Sequence, residues 1–264
     1  MGVAALVLYL GAEAFSIVRL RTDREAYGTA ASLTLLLGFL VHFAALTIGA
    51  RATHTVPYND LPGSMSLYAW MLAACYGILL LRHREGSTGP FLIPLSILFL
   101  AASMLTRGHG TALEPRFLGP IFAWHVTLAI LGYAAFTLSF VLAILYLVQT
   151  RQLHRRQQGI LFARLPALDV LSRLHGTSVA TGVLALTTAT CLGLLWAKQN
   201  WGTYWDPKVA FTFLIIGIYA STLLSWRTGW SQKKVAFLSI SGFVLLMFSY
   251  TIVNLFISHK HIAQ

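Results

Sequence analysis

The sequence predicts an all-α, polytopic membrane protein of about eight transmembrane helices, and three observations carry that prediction. Of its 264 residues, 57% are hydrophobic and only 10% are charged, against about 25% charged in a soluble domain. Apolar runs of near 20 residues, the length that crosses a bilayer core, recur along the chain. The charge between them is basic and grouped in short connections. The net charge of +11 is therefore a topology signal rather than a phosphate-binding groove, and nucleic acid is excluded as a partner.

The runs fall at about 2–19, 30–50, 65–81, 90–106, 118–149, 177–196, 208–226 and 235–258. The first lacks a short basic n-region and a small-residue cleavage site, and is expected to be a retained span rather than a signal peptide. It holds Glu13, the acidic residue well inside a span, which pairs with a basic group or lines a polar path. The second span contains His42. A histidine there is hydrogen-bonded across helices, ligates a cofactor or relays protons. Spans three and four are short. The fifth is long enough to tilt or project beyond the bilayer, and opens with Trp124-His125.

The connection 151–176, "RQLHRRQQGILFARLPALDVLSRLHG", is the one long loop. Its "LPALDVLSRL" has apolar residues at helical spacing, predicting a short amphipathic helix on the membrane surface within a linker near 159–176. The rest forms a single domain over 1–264, with no internal repeat and no soluble domain.

Basic residues set the orientation. Connections after the odd-numbered spans hold Arg19, Arg21, Arg24, Arg82, Arg84, Arg151, Arg155, Arg156, Arg164, Arg173, Arg227, Lys233 and Lys234. The opposite side has only Arg51, Arg107, Arg116, Lys198, Lys208 and Lys260. The first set is expected in the cytoplasm, so both termini are expected on the outer, periplasmic side of a multi-pass bacterial inner-membrane protein.

Between spans six and seven lies "WAKQNWGTYWDPKVAF", also on the expected outer face. Trp196 is read as an interfacial anchor. Trp201 and Trp205 are crowded into five residues around Gly202 and Tyr204, and Gly202 gives the backbone room for close approach. Asp206-Pro207 suits a helix start, with Asp as the cap and Pro at the first helical position. Two readings of these rings stand: a plain aromatic belt, or a shelf for a flat apolar ligand. His125, His259 and His261 share that side. Neutral imidazoles from different elements can ligate haem iron from opposite faces; the alternative for His259 and His261 is an ordinary polar terminus. His54 suits a surface residue, and His109 a loop tip between Gly108 and Gly110. Cys75 and Cys191 lie in separate spans without a C-x-x-C pattern, so neither disulfide exchange nor thioether attachment of haem is indicated.

"WGTYWDPK" resembles the tryptophan-rich signature of the cytochrome c assembly membrane proteins, the CcsA/CcmC/CcmF haem-handling superfamily. "HTVPYNDLPGSMSLYAW" is similar to its Pro-Asn-aromatic segment, and "WHVTLAILGYAAFTLSFVLAILYL" to the span that begins with an outer haem histidine. "LPALDVLSRL" resembles its amphipathic linker and "GWSQKKVAFLSISGFVLLMFSYTIVNLF" its last span. Length and layout resemble the smaller HemX/YpjD-type branch. The resemblance implies haem of the b type held non-covalently. His125 and His261, or His259 in its place, would ligate the iron; Trp201, Gly202, Trp205 and Asp206 would form the loop, with His42 as an intramembrane candidate. The implied partners are haem, other cytochrome c assembly membrane proteins or apocytochrome, and the lipid bilayer. Two departures stand out: the loop is two residues short, and "YASTLLSW" lacks an intramembrane histidine.

The implied function is haem binding and handling at the outer face in support of c-type cytochrome biogenesis, without catalysis. The alternative is a HemX-type membrane regulator or scaffold of tetrapyrrole synthesis. A secondary transporter ranks third, since paired broken helices are missing from the sequence.

Overall fold

The computed structural model describes residues 1–53, 56, 58, 60–106, 119–155, 163–202 and 207–258, without the side chains of 53, 201, 207, 208 and 249–258. Eight long helices are formed among the described residues, and no strand. They are α1 (Gly2–Thr22), α2 (Glu25–Thr53), α3 (Leu61–His83), α4 (Gly89–Leu105), α5 (Pro120–His154), α6 (Leu168–Trp201), α7 (Pro207–Arg227) and α8 (Gln232–Ser258). Among the described residues six stretches are long and apolar enough to cross a bilayer, and α4, at 17 residues, is a shorter apolar helix. The 35 residues of α5 extend over about 52 Å at 1.5 Å per residue, well beyond the ~30 Å hydrocarbon core.

Helix ends follow local chemistry. Asp60 caps α3, its carboxylate accepting from the Gly63 amide at 2.7 Å; that satisfies an amide the helix leaves unpaired. Gly202 closes α6 in the left-handed region at φ 69°, its N–H donating to Lys198 O at 3.2 Å. Pro207 opens α7, the position where a missing N–H costs nothing.

One boundary differs from the sequence reading. The turns around "LPALDVLSRL" do not stand apart as a surface helix. From Leu168 they run unbroken into the sixth span as one 34-residue helix. Leu171, Leu174 and His175 on this stretch are buried while Asp169 and Arg173 are exposed, and those two pair at 3.0 Å. Periodicity finds an amphipathic helix but carries no stop signal against the following apolar run; Gly176, inside the continuous helix, packs so closely that a Cβ would stand 2.7 Å from the Trp226 ring.

Sequential helices pack as hairpins. The α5–α6 interface is the largest, followed by α1–α2 and α3–α4. One core cluster joins α1 to α5 and the start of α6 around Tyr9, Leu72, Tyr76, Leu92, Leu138 and Leu171. A second, around Phe136, Leu186, Tyr219 and Leu246, ties α5, α6, α7 and α8 together. The outward side of α2 shows Leu33, Leu36, Leu37, Leu40 and Phe43, a helical-period apolar stripe that suits lipid.

Candidate functional site

His125 lies in the second turn of α5, facing α6. Its Nδ1 donates to the backbone oxygen of Ala189 at 2.7 Å. Helical carbonyls are normally shielded by the side chain four residues on. Here that residue is Gly193, and a Cβ on it would stand 2.6 Å from two ring atoms of His125. The absent side chain is what admits the imidazole to the carbonyl. Ala185, Ala189 and Gly193 recur every fourth residue, the small-residue ridge that lets membrane helices approach closely.

The hydrogen bond fixes the ring's chemistry as well as its place. A carbonyl accepts, so Nδ1 carries the proton and the neutral ring keeps its lone pair on Nε2. That is how metal-binding histidines are held, with one nitrogen anchored to a carbonyl and the other left to ligate.

Beside this position an aromatic cluster centres on Phe122. Phe122 lies 5.9 Å from His125, 4.9 Å from Trp196 and 6.1 Å from Tyr58, centroid to centroid. Trp196 is only 6% exposed, so the ring read as an interfacial anchor is packed inside the bundle. Trp124, by contrast, is displayed outward, at 63%. The Tyr58 hydroxyl is buried and has no hydrogen-bond partner among the described residues; burial pushes its pKa up from the ordinary tyrosine value. Phe122, Tyr58, Ala189 and Gly193 were not singled out from the sequence. The small-residue ridge was the available signal for the last two.

His42 has a different setting. It is fully buried in α2, with Nδ1 3.2 Å from the Tyr9 hydroxyl of α1 and Nε2 3.0 Å from Ser66 Oγ of α3. Both nitrogens are engaged, and ligation would require giving one up. The structure does not bring His42 together with His125. Trp201 ends α6, with its side chain outside the described residues, as are Trp205, Asp206, His259 and His261. Among the described residues no group of three or more metal-binding side chains occurs.

Residues 58–261, a stretch that includes Tyr58, Phe122, His125, Gly193 and Trp196, match the family described as cytochrome C assembly protein. The chain belongs to that cytochrome c assembly family. Protein HemX of Bacillus subtilis is 26% identical over 250 residues, covering 93% of this chain and 91% of the relative. Cytochrome c biogenesis protein CcsA of Chlamydomonas reinhardtii is 29% identical over 213 residues, 75% of this chain and 58% of the algal protein. CcsA of Oryza sativa is 26% identical over 275 residues, 88% and 84% of the two chains. As a cytochrome c assembly protein built from apolar helices, the chain is a multi-pass membrane protein.

Proposed function

We propose that this cytochrome c assembly protein binds haem at the outer face of a bacterial inner membrane and presents it, without catalysis, in support of c-type cytochrome biogenesis. The observation that carries the reading is the anchored imidazole of His125, whose Nδ1 is committed to Ala189 O so that Nε2 remains the ligating nitrogen. Three features fit a porphyrin here. The glycine at 193 leaves the ring its seat, Phe122 and Trp196 supply apolar area, and the orphaned Tyr58 hydroxyl is a donor for a carboxylate. When bound, haem would supply an iron that accepts imidazole nitrogen, and His125 together with His261 or His259 would hold it. Trp201, Gly202, Trp205 and Asp206 would form the loop that shields it, and Lys198 or Lys208 would meet the propionates as point charges. Non-covalent b-type haem is the form proposed, since neither Cys75 nor Cys191 sits in an attachment pattern. Other cytochrome c assembly proteins or an apocytochrome would receive it.

The test is the visible spectrum of the detergent-purified chain, before and after titration with haem. A six-coordinate Soret band that collapses in His125→Ala and returns with added imidazole supports the reading. A chain that takes up no haem, or whose spectrum ignores His125, overturns it.

A second reading is favoured by one observation, the near end-to-end coverage of the HemX relative. On it, the same fold acts as a membrane regulator or scaffold of tetrapyrrole synthesis through partner contacts, and the haem titration separates the two.

A further inference from the structure

We propose that Glu13 is an intramembrane proton-binding site, loaded from the arginine-rich end of the bundle by way of Ser16, Tyr76 and a cleft beside Arg19. This is independent of the haem site, which lies at the other end of α5 and α6.

The buried face of α1 carries Ala5, Tyr9, Ala12 and Ser16. Glu13 is one turn from both Tyr9 and Ser16, spacings that make helix neighbours at about 5–6 Å. Its Oε2 is buried and has no hydrogen-bond partner among the described residues. The cation nearest along the helix, Arg19, lies about 9 Å further along the axis at 1.5 Å per residue. Its side chain is turned aside, since a Cβ on Gly28 would stand 2.9 Å from Arg19 Cδ and Nε. An uncompensated carboxylate within a span is costly, and the protonated acid is the form such a place tolerates.

Ser16, one turn on from Glu13, begins the proposed route toward the end of the helix. Ser16 Oγ and Tyr76 Oη both flank Gly89, where a Cβ would lie 2.8 and 2.9 Å from them. Both side chains are buried. The Tyr76 hydroxyl donates to Gly86 O at 3.5 Å. Beside them a void of about 10 Å³ is lined by Ser16, Arg19, Tyr76 and Gly86 among others, the lower limit for one water. Beyond Arg19 opens a cleft of about 210 Å³, lined by Asp23, Glu85, Ser87 and Arg164. Arg19 borders both spaces. Intramembrane acids joined to hydroxyls and water in this way are the parts of proton relays.

The other titratable groups on α1 itself are Tyr9, which holds His42, and Arg19 and Arg21. On α2 they are Glu25, Tyr27, His42 and Arg51; α3 carries Tyr68, Cys75, Tyr76, Arg82 and His83; Glu85 lies in the α3–α4 connection, and α4 has none. In the transfer, an O–H bond forms on the Glu13 carboxylate as an O–H bond of a hydronium ion from the cleft breaks, leaving a neutral water. No electron changes hands.

The test is infrared spectroscopy of the full chain in lipid, following the C=O stretch of a protonated carboxyl through transfer to heavy water. The expected result is a band near neutral pH that is missing in Glu13→Gln and shifts on deuteration. In the volume-conserving variants Ser16→Ala and Tyr76→Phe the shift is expected to slow by about tenfold, the consequence of one lost hydrogen-bonded bridge. Absence of a Glu13-dependent protonated band overturns the site. A band that never exchanges, or exchanges equally fast in both variants, overturns the route.

Discussion

The imidazole of His125 reaches across from α5 to donate to the main-chain oxygen of Ala189 on α6 at 2.7 Å. That oxygen already belongs to a helix, so the bond forms only where the backbone is bare. Gly193, one turn on, bares it. Sequence supplies a glycine; helix geometry converts it into a docking place for a ring; the neutral ring, held through Nδ1, keeps its lone pair on Nε2.

Gly193→Ala tests that chain of causes. The new Cβ would stand 2.6 Å from the His125 ring, closer than side chains approach, and the obstacle is a ring fixed by its own hydrogen bond. Overpacking of this kind costs about 1–3 kcal/mol, expected as a lowered unfolding midpoint in detergent. Haem titration is expected to give a weaker, shifted Soret band, as His125 swings away from Ala189. An unchanged band with wild-type stability would show that the ring has another seat.

Phe136→Ala is expected to be among the most damaging apolar truncations. Phe136 is fully buried and stacks on Tyr219 with centroids 3.6 Å apart and planes within 7°. It joins α5 to α7 at the centre of the second core cluster. Truncation is expected to cost about 3–5 kcal/mol, whereas Tyr219→Phe keeps the stack and forfeits only a hydroxyl 3.4 Å from Ser239 O, worth about 1 kcal/mol. Denaturant titration of both variants checks the order.

Much of the fold was legible because membrane helices announce themselves by length. Every one of the eight long helices overlaps an apolar run, and Pro207 and Gly202 sit where their backbone preferences require. The exception is α6, whose start lay hidden because an amphipathic turn and an apolar span share one helical period. The site was less legible. His125 stands out as a polar residue entering a span, yet its partner is a carbonyl, and carbonyls carry no sequence signature. Trp196 and Trp124 look alike in one dimension; only packing reveals that the first is inside and the second outside. Trp205, Asp206, His259 and His261 lie outside the described residues.

The ion pair between Arg164 and Asp23, which ties the linker before α6 to the end of α1, is expected to matter little for stability. The Asp23 side chain is 74% exposed, and exposed pairs contribute about 0–1 kcal/mol because water and salt screen them. A double-mutant cycle over Asp23→Asn and Arg164→Gln is expected to return a coupling below about 1 kcal/mol that fades with added salt. A larger, salt-insensitive value would mean that the cleft excludes water.

His42 allows the sharpest separation of packing from ligation. Its two nitrogens join α1 and α3 through Tyr9 at 3.2 Å and Ser66 at 3.0 Å, and its ring is fully buried. Each hydrogen bond between membrane helices is worth about 0.6 kcal/mol on average. Tyr9→Phe and Ser66→Ala are therefore expected to be mild, and each to couple to His42 in a cycle by about that amount. His42→Ala removes the ring, leaves a cavity and strands two hydroxyls, so about 2–5 kcal/mol is expected. His42→Gln keeps polar reach and is expected to recover part of that loss. If His42 is a clasp, the haem spectrum of the folded His42→Gln protein matches wild type while its unfolding midpoint falls. If His42 is a ligand, the spectrum changes in step with the substitution, and Tyr9→Phe, which frees Nδ1, perturbs the band as well. Recording both readouts on one preparation decides between the two roles, because loss of a clasp moves stability alone and loss of a ligand moves colour.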